Sequence, residues 1–285
     1  MPEKKQIIGI YHKDCIDGTS AAAVMLRKFP SAHLFPLSHT YTASDIEPII
    51  NLAEVESEVF TLDCALGLQE LLENGNAVTV IDHHAGSREV VEHLVRDNPK
   101  ATYIFDNDKS GASLSWSYFF PNEKERKFIN YVEDADLWIW KYGDETKHVN
   151  NYLSMFRNDP KTMLEILEGD LQEVKARGAI ISQSIDSEIA NLVKLASINI
   201  KIEEYIVPAY NITVHESAVG NILSEKFGKA VAIFIIIGDA VKLSFRSKEH
   251  HSPSALVLAQ LLSGGGHKCA SGATIPRNDF IKMIQ

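Results

Sequence analysis

The sequence is short of cysteine, of long apolar runs and of positive charge, and each shortage excludes a class of protein. Its three cysteines, Cys15, Cys64 and Cys269, contain no CxxC pair, so no disulfide framework is expected and a reducing cytoplasm fits. No apolar run approaches the ~20 residues of a membrane span. The segment from Met1 to Gln6 leads straight into an apolar strand, which predicts no room for a secretory leader. Lys and Arg number 28 against 38 Asp and Glu, a net charge of −10. Long nucleic acid needs clustered cations, so neither a general basic groove nor a long duplex partner is expected. Short anionic substrates stay open, because bound divalent cations would change the local field they meet. What remains is ordinary for a globular protein: 45% apolar and 23% charged over 285 residues, enough for one large domain or two of usual size.

The most informative stretch is Ala77-Val78-Thr79-Val80-Ile81-Asp82-His83-His84-Ala85-Gly86-Ser87. A β-branched run ending in a carboxylate and two imidazoles predicts a buried parallel strand with candidate metal-site side chains at its C-terminal end. Imidazole is the commonest protein metal ligand, and a neighbouring carboxylate serves as a ligand or orients one. Two other strands end the same way. Gln6–Tyr11 runs into His12-Lys13-Asp14-Cys15-Ile16-Asp17-Gly18, and Glu58–Leu62 runs into Asp63-Cys64. Helices are expected at Thr19–Lys28, at Ser44–Ala53 with Ser44 as N-cap, and at Leu68–Glu73; further strands are expected at Ala32–Leu37 and Ala101–Phe105. Alternating strands and helices predict a mostly parallel sheet flanked by helices, with all three ends on one edge.

Beyond that sheet, helices are expected near Ser110–Phe119 and Glu123–Glu133, the latter leading into Asp134 and Asp136. Apolar steps of three, four and seven between Lys161 and Ser197 predict a connector helix, broken at Gly178 if anywhere. After Ser197, strands are expected at Ile198–Val207 and Tyr210–His215, a helix at Gly220–Phe227, and a hairpin of Ala230–Ile237 with Val241–Ser247. A helix near Ser254–Leu262 precedes Ser263-Gly264-Gly265-Gly266-His267. The organisation expected is therefore 1–160, a connector over 161–197, and a smaller α/β domain over 198–285.

In this order, His12–Gly18, Asp63, Asp82-His83-His84, the Asp134/Asp136 pair and Gly264-Gly265-Gly266-His267 resemble the DHH/DHHA1 phosphoesterases. The resemblance covers nearly the whole chain. It implies a catalytic DHH domain, a helical linker and a substrate-binding DHHA1 domain. It also implies two divalent ions, most often Mn2+ with Zn2+, Co2+ or Mg2+ as alternatives, which activate water for attack on phosphorus. Carried over by position, the ligands are His12, Asp17, Asp63 as the bridging carboxylate, His83, and Asp134 in preference to Asp136. His84 would face the substrate phosphate as donor or general acid, and Asp82 would orient a histidine.

The first motif departs from the family's commonest pattern. Cys15 stands where an aspartate is usual, with Asp14 as the other candidate ligand; a thiolate would favour a softer ion. In the second domain, backbone N–H groups of the glycine run, His267, Arg246 and the adjoining Ser247 are candidate phosphate contacts. The substrate class implied is a short oligonucleotide or a nucleotide, and a homodimer is compatible with it. Two other readings stay open: a hydrolase of short polyphosphate, or a nucleotide-binding sensor with reduced turnover. Trp138 and Trp140 read either as base-stacking rings or as core, while His250-His251 reads as solvated loop, and His39 and His148 have no assignable partner.

Overall fold

The computed structural model describes residues 6–54 and 57–285. The expectation about a leader concerns the first residues of the chain and lies largely outside them. The chain divides into two compact units, the first running to Ser182 and the second covering Gln183–Gln285, so the division falls inside a helix. No helix among the described residues is long and apolar enough to cross a membrane.

The first unit opens with β1 (Ile7–His12), α1 (Ile16–Lys28), β2 (His33–Leu37), α2 (Ala43–Leu52), β3 (Glu58–Leu62), α3 (Leu68–Glu73), β4 (Ala77–Asp82), α4 (Arg88–Asp97) and β5 (Ala101–Phe105). The five strands form one parallel sheet in the order β2-β1-β3-β4-β5. Period-2 alternation sorts their side chains onto two cores. Ile8, Ile10, Val59, Val78 and Val80 face one, while Tyr11, Phe60, Leu62 and Ile81 face the other. Since the chain goes from β1 to one side and then returns to the other, the gap between β1 and β3 is the switch point where such sheets place their crevices.

The second core is closed by α5 (Gly111–Phe119), α6 (Lys127–Asp136), α7 (Asp144–Leu153), α8 (Pro160–Glu168) and the first half of α9 (Leu171–Leu192). Two local expectations are corrected. The cap of α2 is Thr42, not Ser44, because Thr42 and Asp45 form a reciprocal capping box. The connector is two helices, and it breaks at Gly169-Asp170, where Asp170 accepts a hydrogen bond from the Gln172 N–H; α9 runs through Gly178.

The second unit contains β6 (Ile198–Ile202), β7 (Tyr205–Asn211), α10 (Glu216–Phe227), β8 (Val231–Ile237), β9 (Ala240–Arg246), α11 (Ala255–Leu261), β10 (Gly265–His267), β11 (Ala270–Pro276) and α12 (Arg277–Met283). They build a mixed sheet in the order β10-β11-β9-β8-β7-β6, in which only β7 and β8 pair in parallel. The strand expected over Ile198–Val207 is instead a hairpin, turned at Glu203 in the left-handed region. The glycine run is part of the sheet. Gly265, Gly266 and His267 form an edge strand on β11, and a side chain on Gly264 would meet the Gly272 carbonyl at 2.2 Å.

Candidate metal centre

Three strand ends meet at the switch point. His12 closes β1, Asp63 follows β3 in the left-handed region, and His83 and His84 follow β4. The left-handed turn at Asp63 aims its carboxylate across the strand ends, while the Asp63 N–H still donates to the Ile81 carbonyl at 2.9 Å. Asp63 is 1% exposed. Its Oδ2 lies 3.4 Å from His12 Nδ1, and its Oδ1 lies 3.1 Å from His83 Nε2 and 3.9 Å from His84 Nδ1. Among the described residues neither oxygen has an aligned hydrogen-bond partner, and His12 Nδ1 and His83 Nε2 are likewise buried and unsatisfied.

Two further carboxylates complete the cluster. Asp17, in the first turn of α1, lies 3.8 Å from His83 Nε2, and Asp136, at the end of α6, lies 3.4 Å from the same atom. Three donor sets result: His12–Cys15–Asp63, Asp63–His83–His84 and Asp17–His83–Asp136, each with its donor atoms within 4.8 Å of one another. Asp63 belongs to two of them.

Charge crowding shows in the ionisation of these groups. Burial, then the neighbouring Asp63 and Asp136, pushes the Asp17 carboxyl above the usual range, and burial with Asp63 does the same to Asp136. Burial opposes ionisation of Asp63 as well, but His12 and His83 outweigh it and hold that carboxyl low. The Cys15 thiol is pushed up by burial and by Asp63 and Asp17. Three carboxylates, three imidazoles and a thiol, several with unsatisfied buried atoms, form a donor set that a divalent cation would satisfy.

The supporting contacts hold this geometry. Both Asp17 oxygens accept from the first amides of α5, Gly111 N–H at 2.5 Å and Ala112 N–H at 2.9 Å. No side chain fits at Gly111, because its Cβ would lie 2.6 Å from the Asp63 Cβ. Asp82 is turned to its own loop. Its Oδ1 lies 2.7 Å from His84 Nδ1 and accepts from the His83 N–H at 2.8 Å, while its Oδ2 accepts from Ser87 Oγ at 2.8 Å. The Asp82 carboxylate raises the pKa of His84 to about 9.

Several expected residues are not brought to the cluster. Asp134, preferred over Asp136 from the sequence, is turned away: its carboxylate accepts from Lys141 N–H at 2.7 Å, Tyr142 N–H at 3.2 Å and Thr146 Oγ1. Asp14 is exposed and tied to the Asn158 side chain at 2.5 Å, leaving Cys15 in the donor set. Ser247 is buried, its hydroxyl accepting from the Ala255 N–H at 2.9 Å, and so it faces α11 rather than solvent. His251 is buried rather than solvated, its Nδ1 accepting from the Lys248 N–H at 3.1 Å.

The sequence reading missed His39, which follows β2 and meets the His12 ring edge-on at 4.8 Å. The signal was present, since β2 is one more strand delivering a histidine just past its end. It also missed Gly111, whose importance depends on how closely α5 approaches Asp63.

In the second unit, Arg246 is half-buried at the end of β9, with Nη1 donating to the Phe245 carbonyl and Nη2 to Ser217 Oγ, both at 2.8 Å. It lines a groove with Lys242, Ser244, Gly264, Ser271 and Thr274, and the buried Ser271 hydroxyl has no hydrogen-bond partner among the described residues. His267 is exposed on the edge strand.

A parallel sheet carrying a carboxylate–histidine cluster at its switch point, followed by a mixed-sheet unit, defines the class. Residues 203–285 match the DHHA1 domain family. Two solved structures share the fold across the chain. Exonuclease RecJ bound to manganese covers 98% of this chain and 88% of its own, at 15% identity and a TM-score of 0.53. The pGpG-specific phosphodiesterase PggH from Vibrio cholerae covers 98% and 96%, at 13% identity and a TM-score of 0.53. An uncharacterized protein, R106, of Acanthamoeba polyphaga mimivirus is 24% identical over 222 residues, which are 72% of this chain. The match spans only 49% of that relative's length. Residues 203–285 thus form a DHHA1 domain, and the chain as a whole shares the fold of these two structures.

Proposed function

We propose that this protein is a divalent-metal phosphoesterase that hydrolyses phosphodiester or phosphomonoester bonds of short oligonucleotides or nucleotides. One observation carries the reading: Asp63, His12 and His83 converge from three strand ends with their buried polar atoms unsatisfied. The structural neighbours are described as an exonuclease bound to manganese and a pGpG-specific phosphodiesterase, which supports a nucleotidyl substrate.

In this reading His12, Cys15 and Asp63 would hold one ion and Asp17, His83 and Asp136 the other. Mn2+ is the proposed ion, and Zn2+, Co2+ and Mg2+ are the alternatives. Two divalent ions, when bound, activate water and offset the charge that builds on phosphorus. His84, held by Asp82, is placed to donate to a phosphate or leaving-group oxygen. Within the second unit, Arg246 and the polar groove around Ser271, beside the glycine strand, offer phosphate contacts.

The test is a substrate panel with Mn2+: dinucleotides, a cyclic dinucleotide, an adenosine bisphosphate and short polyphosphate. Turnover of a nucleotidyl member, lost in Asp63→Asn, is the expected result. Equal turnover of polyphosphate would shift the assignment to phosphoanhydride hydrolysis. A second reading, a nucleotide-binding sensor, is favoured by Cys15 occupying the donor set while Asp14 is tied off. It predicts tight nucleotide binding with at most one ion per chain by elemental analysis.

A further inference from the structure

A cavity of about 310 Å³ adjoins the cluster. Its lining includes Cys15, Asp17 and Asp136 and, beyond them, Trp138, Asn150 and Arg157. Trp138 is 73% exposed, and no group in the metal centre accounts for it. Of the three tryptophans in the chain, Trp116 is buried in the core, so the contrast is between a ring that packs and one that does not.

The loop that carries Trp138 is built rather than slack. Trp138 and Trp140 both adopt left-handed backbone, at φ of 58° and 57°, a strained conformation for bulky side chains that persists only where the surroundings impose it. Asp134 imposes it here. Its backbone carbonyl accepts from Ile139 N–H at 3.0 Å and Trp140 N–H at 3.3 Å, and its carboxylate accepts from Lys141 and Tyr142. Trp140 meets the Trp138 ring edge-on, with centroids 5.0 Å apart. The role of Asp134, an aspartate two residues from a cluster member, is thus to hold this loop. Arg157 is the only cationic side chain in the cavity lining, and its guanidinium makes no ion pair among the described residues.

A flat, exposed indole in a polar cavity that also holds an unpaired guanidinium and adjoins the cluster matches one chemistry, a π-face attached to a phosphate. We propose that Trp138 and Arg157 form a nucleoside subsite: Trp138 stacks on the base of the nucleotide whose phosphate lies at the cluster, and Arg157 donates to an oxygen of that phosphate. Asp134 is its positioning residue. The inference rests on the phosphoesterase reading for its orientation and narrows it to substrates that carry a base, which polyphosphate lacks. Stacking on an aromatic side chain is worth about tenfold in affinity.

The experiment compares binding of adenosine 5′-monophosphate with ribose 5-phosphate by titration calorimetry in the presence of Mn2+, so that the readout is independent of turnover. Wild-type protein is expected to bind the nucleotide about tenfold more tightly than the sugar phosphate. Trp138→Ala should erase that difference without changing ribose 5-phosphate affinity, Trp138→Phe should keep most of it, and Arg157→Gln should weaken both ligands alike. Equal binding of the two ligands by wild-type protein would overturn the subsite, as would a Trp138→Ala variant that keeps the preference. Should the preference hold and depend on Trp138 while no phosphoester is hydrolysed, the subsite stands and the hydrolase reading falls. Asp63-dependent hydrolysis with no base preference sinks the subsite alone.

Discussion

At the scale of single residues, the protein turns on a buried carboxylate that its own neighbours do not satisfy. Asp63 is attracted to His12 and His83 and repelled by Asp17 and Asp136, and it has no aligned hydrogen bond to either oxygen. A cation would resolve this conflict, whereas a purely structural ion pair would be expected to align its bonds. Asp63→Asn keeps the shape and removes the charge, so Mn2+ binding should fall by more than about a thousandfold, with hydrolysis lost and circular dichroism unchanged. Retained binding in a calorimetric titration would remove Asp63 from the centre. Arg246 tests the other unit. Its guanidinium is already bonded to Ser217 and the Phe245 carbonyl, so its position in the groove is fixed. Arg246→Ala should raise KM about tenfold with kcat little changed, since a hydrogen bond to a charged group is worth about 1.5–3 kcal/mol. An unchanged KM across the substrate panel would count against its role.

At the scale of elements, strand ends were legible and helix faces were not. A β-branched run broken by Asp or His marks the C-terminal end of a parallel strand whatever surrounds it, and so His12, Asp63 and His83 could be placed on one edge before any coordinates. Asp134 and Asp136 sit two positions apart on α6, which points them to nearly opposite sides of the helix. Which of the two meets the cluster depends on how α6 is rotated against α1 and α5, a tertiary fact absent from local sequence. The same reason hid Gly111, whose spacing to Asp63 is set by the approach of α5. The strand pairing of Gly265–His267 was hidden too, because it depends on the distant partner Ala270–Gly272. Gly111→Ala would place a methyl 2.6 Å from the Asp63 Cβ and 2.9 Å from Asp17 Oδ2, forcing α5 back from both. The expected cost is about 1–3 kcal/mol of stability in thermal melts, with weakened Mn2+ affinity because Asp17 loses its two amide donors. Full Mn2+ affinity in a destabilised variant would show that α5 supports the sheet but not the ligand.

At the scale of the whole molecule, each unit has its own core. The first is centred on Ile8, Val80 and Ile81 and the layers around them, and the second on Ala232, Leu243 and Phe245. The ligand cluster draws only on the first unit, from His12 to Asp136. Ligand binding to the native state stabilises whatever must unfold to release the ligand, by about 2.7 kcal/mol at a hundred times Kd. For a unit of this size that corresponds to roughly 5–10 °C in Tm. Mn2+ should therefore raise amide protection in β1, β3 and β4, and removing it with a chelator should reverse the gain. Protection across β8, β9 and β11 should not respond to metal if the second unit opens on its own. Hydrogen exchange followed by mass spectrometry, with and without Mn2+, separates the cases. Gains confined to the first sheet place the metal where the donor sets are, whereas equal gains in both sheets would mean that the two cores unfold as one. No gain in either would mean that the His12–Asp63–His83 convergence holds no ion, and the phosphoesterase proposal would fall with it.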